Sequence, residues 1–591
     1  MDDSFIEGQT NGDQVDGHIN GATNGNTNGY TNGLATSKEN SHDGNGEDNG
    51  AKETRNHWEL DALIVGAGFG GVYLLHQLRK EGLRVKLVEA GQGLGGVWYW
   101  NSYPGARTDT PIPTYALNIP EVYETWTWSE EYPGEKEIKA YFKHIDKVLN
   151  LSKDVIYGER LSKAKFCEET DKWELETDRH TTFTSQFFCP CLGFASKRYT
   201  PDWPGINDVY KGRVLFPSRW PQEGVDMAGK KVAVVGTGAS GVQIAQSAAR
   251  EAQELTCFVR TPNLSWPMGQ RKISVEEAEE KRPLLKDQLG EKRFTTVGGF
   301  LYEETTRQIM DDTPEEREAR LTYDYSVGGF RVFFVSYINV LGDKEGNDEI
   351  YKFWRRKTHE RMKNKEKAEI LAPLKAPHAF AGKRPSLEQD YYEQMDKSHV
   401  TLVDVKRNPI SHLTSNGIIT EDGSTYEADI LVLATGYDAV TGGFQDIDIT
   451  GLGGVTLQES WEKSTHAYLG LIVSGFPNML YVYGPLSPCS YATGPAVVES
   501  QAHWIVDTMR KMKAEGATRI DATTEAEAEW KQKVETIHAY TLRDQIEGSW
   551  YLGLNVPGKK REVLLWGGGL PAYRKEIWDA IVPEWKGFIL N

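Results

Sequence analysis

The chain has 591 residues, 39% hydrophobic and 26% charged, with a formal net charge of −18. That length supports several domains and a core large enough to fold without disulfides or bound metal. The acidic balance argues against a nucleic-acid binder, which needs a basic face.

Residues 1–57 are low-complexity, with recurring Asn-Gly pairs such as Asn20-Gly21 and Asn32-Gly33 and few aliphatic residues. Such a segment buries too little surface to offset its ordering entropy, so a disordered tail is expected. No basic flank with a following apolar run marks a signal peptide, and no stretch is long enough to span a bilayer. A cytoplasmic location is the expectation.

Asp61–Val65 reads as a strand, followed by Gly66-Ala67-Gly68-Phe69-Gly70-Gly71 and a helical pattern through Val72, Leu74, Leu75 and Leu78. A second strand, Arg84–Val88, ends in Glu89. A glycine turn between strand and helix lets backbone N–H groups approach a pyrophosphate at a helix N-terminus. A carboxylate at the second strand end accepts from ribose hydroxyls and repels a 2′-phosphate, which suits the ADP part of FAD.

A second unit of the same kind starts at Lys231–Val235 and turns through Gly236-Thr237-Gly238-Ala239-Ser240-Gly241. It returns as Leu255–Val259, ending in Arg260-Thr261. A guanidinium at that register suits the 2′-phosphate of NADPH. The charged stretch 274–367 reads as inserted helices. Strand patterns resume at Val400–Val403 and Ile430–Leu433, the latter followed by Ala434-Thr435-Gly436. The five cysteines include no CxxC pair, so free thiols are expected, and the disulfide-reductase branch of two-dinucleotide flavoproteins is disfavoured. Cys189 and Cys191 have no Cys/His cluster beside them, and no metal site is expected.

The fold class expected is α/β, with two dinucleotide-binding (Rossmann-like) domains, a helical insertion and the N-terminal tail. The FAD-binding domain is expected at 58–183 and 434–591. The NADP-binding domain is expected at 184–266 and 376–433, with the insertion at 267–375.

Between the two units runs Gly95-Gly96-Val97-Trp98, then Tyr103-Pro104-Gly105, then Asp109. Here the chain resembles the Baeyer–Villiger monooxygenases. Their pattern is Ala/Gly-Gly-x-Trp, four free positions, Phe/Tyr-Pro-Gly/Met, three free positions and Asp. Every fixed position is matched. The resemblance extends from about Trp58 to the C-terminus and includes Lys383-Arg384-Pro385 and Gly548–Lys559.

It implies an enzyme that uses FAD, NADPH and O₂ to insert one oxygen atom beside a ketone carbonyl, through a C4a-peroxyflavin, giving an ester or lactone. It assigns Arg384 as the active-site arginine and Asp109 as its acidic partner. It sets Gly96, Trp98 and Tyr103 in the cofactor site, Lys383 with Arg260 and Thr261 at the NADPH 2′-phosphate, and Trp550 against the nicotinamide cofactor. The Gly/Asn-rich tail suggests a fungal member acting on a polycyclic or terpenoid ketone of secondary metabolism. A protonated peroxide oxidising nitrogen or sulfur would need the same nucleotide sites, but Asp109 and Arg384 favour the ketone reaction.

The family's second signature, Phe-x-Gly-x-x-x-His-x-x-x-Trp-Pro, is broken in two places. Gly212, Trp220 and Pro221 fit, whereas Tyr210 replaces Phe and Phe216 replaces His. The loss of a titratable group there would bear on NADPH-coupled domain motion or, in the extreme, mark a catalytically impaired homologue.

Overall fold

A computed structural model describes residues 56–489 and 492–591. The expected tail therefore lies outside the described residues except at its last two positions. There a correction is needed, because His57 already opens the first strand, opposite Thr182.

Six strands form most of the first sheet: β1 (His57–Val65), β2 (Val85–Glu89), β3 (Val155–Tyr157), β4 (Leu161–Cys167), β5 (Lys172–Thr177) and β6 (Thr182–Pro190). β6, β1, β2 and β3 run parallel to one another, while β5 is antiparallel to both β6 and β4. The last four residues of β1 are buried on both faces, as a central parallel strand requires. The helix Phe69–Lys80 follows β1 and buries Val72, Tyr73, Leu74, Leu75 and Leu78. The boundary expected between residues 183 and 184 cuts through β6. That strand pairs with β1 along its length, so the first sheet extends to Pro190.

The second sheet begins with β7 (Arg213–Leu215), β8 (Lys231–Val235) and β9 (Glu254–Val259). A short parallel pair, β10 (Trp266–Pro267) and β11 (Leu387–Glu388), brackets the insertion. β12 (Val400–Asp404) returns to the second sheet. β13 (Ile410–Leu413), β14 (Gly417–Thr420) and β15 (Thr425–Glu427) then make an antiparallel sheet of their own. β16 (Ile430–Leu433) completes the second sheet, whose order is β12-β9-β8-β16-β7, all parallel. β17 (Asp448–Thr450) carries the chain back to the first sheet, beside β4.

Between β10 and β11 the insertion is helical, including Pro314–Val327 and Lys344–Arg361. Thr313 and Glu316 cap the first of these reciprocally, and Asp343 accepts the first free N–H groups of the second. Among the described residues no helix is long and apolar enough to cross a membrane.

Candidate active site

Both glycine turns sit at the carboxyl ends of their first strands, where open α/β sheets bind ligands. A methyl group at Gly71 would collide with the Gly66 carbonyl oxygen, and one at Gly241 with that of Gly236. These two glycines permit close packing of helix on strand, and neither lines the cavity described next. Gly96, at φ 56°, lies so near Gly68 that a side-chain carbon would stand 2.7 Å from the Gly68 Cα. Bare backbone from two segments thus meets at the first turn. At Gly238 no atom lies within 4 Å of where a Cβ would be, so the second turn is open to an approaching phosphate.

The turns open onto one cavity of about 1170 Å³. Its walls carry Gly66, Gly68, Glu89, Gly96, Trp98, Tyr103 and Asp109 from the first domain. From the second come Gly236, Thr237, Gly238, Arg260, Thr261, Lys383 and Arg384, and Trp550 comes from the C-terminal segment. Every residue expected from the sequence to be catalytic or to bind a cofactor, apart from Gly71 and Gly241, therefore faces the same space.

Glu89 is buried, and its two carboxylate oxygens accept from the backbone N–H groups of Ala67 (2.8 Å) and Gly91 (2.7 Å). Those bonds fix the carboxylate beside the first turn and leave lone pairs for ribose hydroxyls. The Thr237 hydroxyl donates to the Thr261 carbonyl, tying the second turn to the end of β9. Lys383 is pushed down to about 8 by burial and by the neighbouring Arg260 charge. Two cations held together at some cost mark a place for an anion. The residues present fit one nucleotide with free ribose hydroxyls at the first turn and one with a 2′-phosphate at the second.

Arg384 donates from Nε to Asp109 Oδ2 (2.6 Å) and from Nη2 to Oδ1 (2.9 Å), a bidentate pair. Their side chains are 25% and 34% exposed, both on the cavity wall. Burial works against the Arg384 charge, but the Asp109 carboxylate outweighs it and holds the guanidinium above its ordinary pKa. The Phe330 ring covers the guanidinium at 4.5 Å, and the Arg384 backbone N–H donates to the Tyr551 hydroxyl (3.2 Å). Trp550 stacks on Phe194 at 5.2 Å with an interplanar angle of 13°.

The segment from Gly95 to Asp109 also straps the two domains together. The Tyr103 hydroxyl donates to Gln243 (3.0 Å) and accepts from Ser240 (3.1 Å), both on the helix after the second turn. Gln243 in turn donates to the Arg107 carbonyl (3.0 Å). Arg107 itself pairs with Glu130 and donates to the Tyr132 carbonyl. Trp98 is anchored by its indole N–H on the Tyr115 hydroxyl (2.9 Å).

Sequence reasoning passed over Phe330 and Tyr551. Phe330 follows Gly328-Gly329, whose positive φ angles (80° and 71°) mark a sharp turn, and precedes a π-helical stretch, Val332–Ser336. The glycine pair was the available signal. Of the two departures, Tyr210 uses its hydroxyl to donate to the Ala428 carbonyl (2.8 Å), a bond phenylalanine cannot make. Phe216 lies on the cavity wall beneath the Arg198 guanidinium, 4.1 Å from its ring centre.

A family model described as an NAD(P)-binding Rossmann-like domain matches residues 64–127. The FAD-binding monooxygenase acrE of Aspergillus aculeatus is 40% identical over 90% of this chain and 89% of its own length. Cyclopentanone 1,2-monooxygenase of Comamonas sp. is 40% identical over 90% of this chain and 96% of its own. The crystal structure of a Rhodococcus cyclohexanone monooxygenase bound to NADP⁺ superposes with a TM-score of 0.87 at 33% identity, covering 91% of this chain and all of that one. Identity of 40% over nine-tenths of the chain, with a fold shared over the same span, shows that the chain belongs to the FAD-binding Baeyer–Villiger monooxygenases.

Proposed function

We propose that this enzyme uses NADPH, FAD and O₂ to convert a bulky polycyclic or terpenoid ketone to an ester or lactone, with Arg384 and Asp109 at the reacting centre. The observation that carries the reading is the bidentate Arg384–Asp109 pair on the wall of a cavity shared by both glycine turns. FAD, reduced by NADPH, supplies the activation of O₂ when bound.

The chain's own groups do the rest by position and charge. Glu89 and the Gly66–Gly68 turn hold the flavin nucleotide by ribose and diphosphate. Arg260, Thr261 and Lys383 hold the 2′-phosphate. Trp98, Tyr103 and Trp550 shape the wall between the two nucleotides. Arg384 keeps a permanent positive charge where the transferred oxygen and then the carbonyl oxygen become negative, and such preorganised charge acts most strongly where water is excluded. Asp109 orients the guanidinium and limits the cost of burying it. The aromatic cover that the insertion lays over Arg384 supports an apolar substrate. The composition supports a cytoplasmic enzyme.

The test is to incubate the protein with NADPH, a panel of mono- and polycyclic ketones and ¹⁸O₂, and to follow the products by mass spectrometry. One labelled oxygen in a ring or chain ester is expected. NADPH consumption with no ketone-dependent product across the panel would overturn the reading.

A further inference from the structure

Three arginines outside the sites assigned above line the same cavity. Arg160 precedes β4, Arg198 lies where the chain crosses from the first sheet to the second, and Arg219 follows β7. Arg198 and Arg219 are placed by something other than a carboxylate. Arg198 stands 4.1 Å over the Phe216 ring, and Arg219 stands 4.0 Å over the Trp100 ring and donates to its neighbour's carbonyl at Ser218 (2.8 Å). Among the described residues none of the three has an acidic side chain within ion-pair distance. The Arg219 charge is disfavoured by burial, then by Arg160 and Arg198, while Glu89 is near enough to favour it. Glu159, next to Arg160, donates its backbone N–H to the Glu89 carbonyl (3.2 Å), so the cluster lies on the Glu89 side of the cavity, near the first glycine turn.

Three like charges cost energy when brought together without an anion. Two of them rest on flat aromatic faces, and beyond the one Arg219 bond to Ser218 this leaves guanidinium N–H groups to meet an anion. A diphosphate matches both the charge and the fork geometry of such edges. The cluster also draws on both domains and on the chain between them, so an anion bound there would be shared across the junction.

We propose that Arg198 and Arg219, supported by Arg160, form a cationic clamp on the diphosphate of FAD, opposite the glycine turn. The stacking surface for Arg198 is Phe216, the position at which this chain departs from the family signature. The departure exchanges a titratable imidazole for a ring that seats a permanent cation. This inference rests on the reading that the first glycine turn holds FAD.

The experiment is to titrate deflavinated protein with FAD and, separately, with riboflavin, which has the same ring system but no phosphate, following flavin fluorescence. Wild type is compared with Arg198→Gln, Arg219→Gln and the double variant, with circular dichroism and thermal melting confirming the fold. Each single variant should weaken FAD roughly tenfold, the usual scale for one charge-assisted hydrogen bond, and the double variant more. Riboflavin affinity should stay unchanged, and the salt dependence of FAD binding should flatten. Equal losses for FAD and riboflavin, or unchanged FAD affinity, would overturn the clamp. So would a loss confined to NADP⁺. Failure of wild type to take up FAD at all would overturn instead the reading on which the clamp rests.

Discussion

Replacing Arg384 by alanine tests the central electrostatic argument most directly. The guanidinium makes two short bonds to Asp109, at 2.6 and 2.9 Å, and is one-quarter exposed. Two unit charges about 4 Å apart interact by roughly 4 kcal/mol at the effective dielectric typical near a protein surface. A developing oxyanion at hydrogen-bond distance from Arg384 would feel a field of that size, reduced by the partial exposure to about 3 kcal/mol. Removing a single preorganised donor in other oxyanion sites costs a similar amount. The expected result is therefore a loss of roughly a hundredfold in the rate of ester formation. NADPH oxidation should continue, because the second nucleotide site is untouched, and it should release hydrogen peroxide in place of product. Arg384→Lys should recover part of the loss, since a point charge remains without the bidentate fork. Asp109→Asn should cost less than Arg384→Ala, because the cation survives and only its orientation is lost. The assay pairs NADPH absorbance with chromatographic product yield. Full coupling of NADPH oxidation to ester formation in Arg384→Ala would refute the assignment.

Three further outcomes are expected. Lys383 is pushed down to about 8 by burial and Arg260, so its charge is complete below that pH and is lost as pH rises through it; kcat/KM for NADPH should fall above pH 8, and Lys383→Arg should flatten the profile in steady-state kinetics. Gly71→Ala drives a methyl into the Gly66 carbonyl and should give protein without flavin absorbance, whereas Gly238→Ala, facing open space, should retain flavin and raise only the KM for NADPH. Arg293 and Glu499 are fully buried and paired, with the carboxylate also accepting from the Asn118 N–H (2.7 Å); Glu499→Ala leaves an unmatched buried cation and should destabilise by about 3–5 kcal/mol in urea unfolding.

The parts of the fold that could be read from the sequence are those governed by local rules. Strand Ile430–Leu433 is a continuous apolar run because it is central in a parallel sheet, and the two glycine turns follow from the backbone approach that a phosphate demands. The second strand of each unit ends in the residue that tells the sites apart, Glu89 or Arg260, and both line the cavity. The misplaced boundary at residue 184 has a long-range cause. β6 pairs with β1 across more than a hundred residues, and nothing in its own pattern says which sheet it joins. Tyr103 had a similar ambiguity. Its hydroxyl bonds to the helix of the second domain, so it acts as a strap between domains as well as a wall of the cavity. Phe330 was invisible for a different reason. It belongs to a charged helical insertion with no motif of its own, and only the fold carries it to within 4.5 Å of Arg384.

That last contact separates two kinds of constraint on the site. The glycine turns are held by the two sheets, whereas Arg384 and Asp109 lie on loops and are held by their bidentate pair. Phe330 is held by a double-glycine turn, in which a side chain at Gly328 would press on the Met268 carbonyl carbon (2.7 Å) and one at Gly329 on the Tyr132 hydroxyl (2.6 Å). Its position is thus set by the packing of the insertion against the loop after β10, not by the nucleotide scaffold. Changes in the insertion can therefore reshape the surface a substrate meets beside Arg384 while the two bonds to Asp109 keep the charge in place.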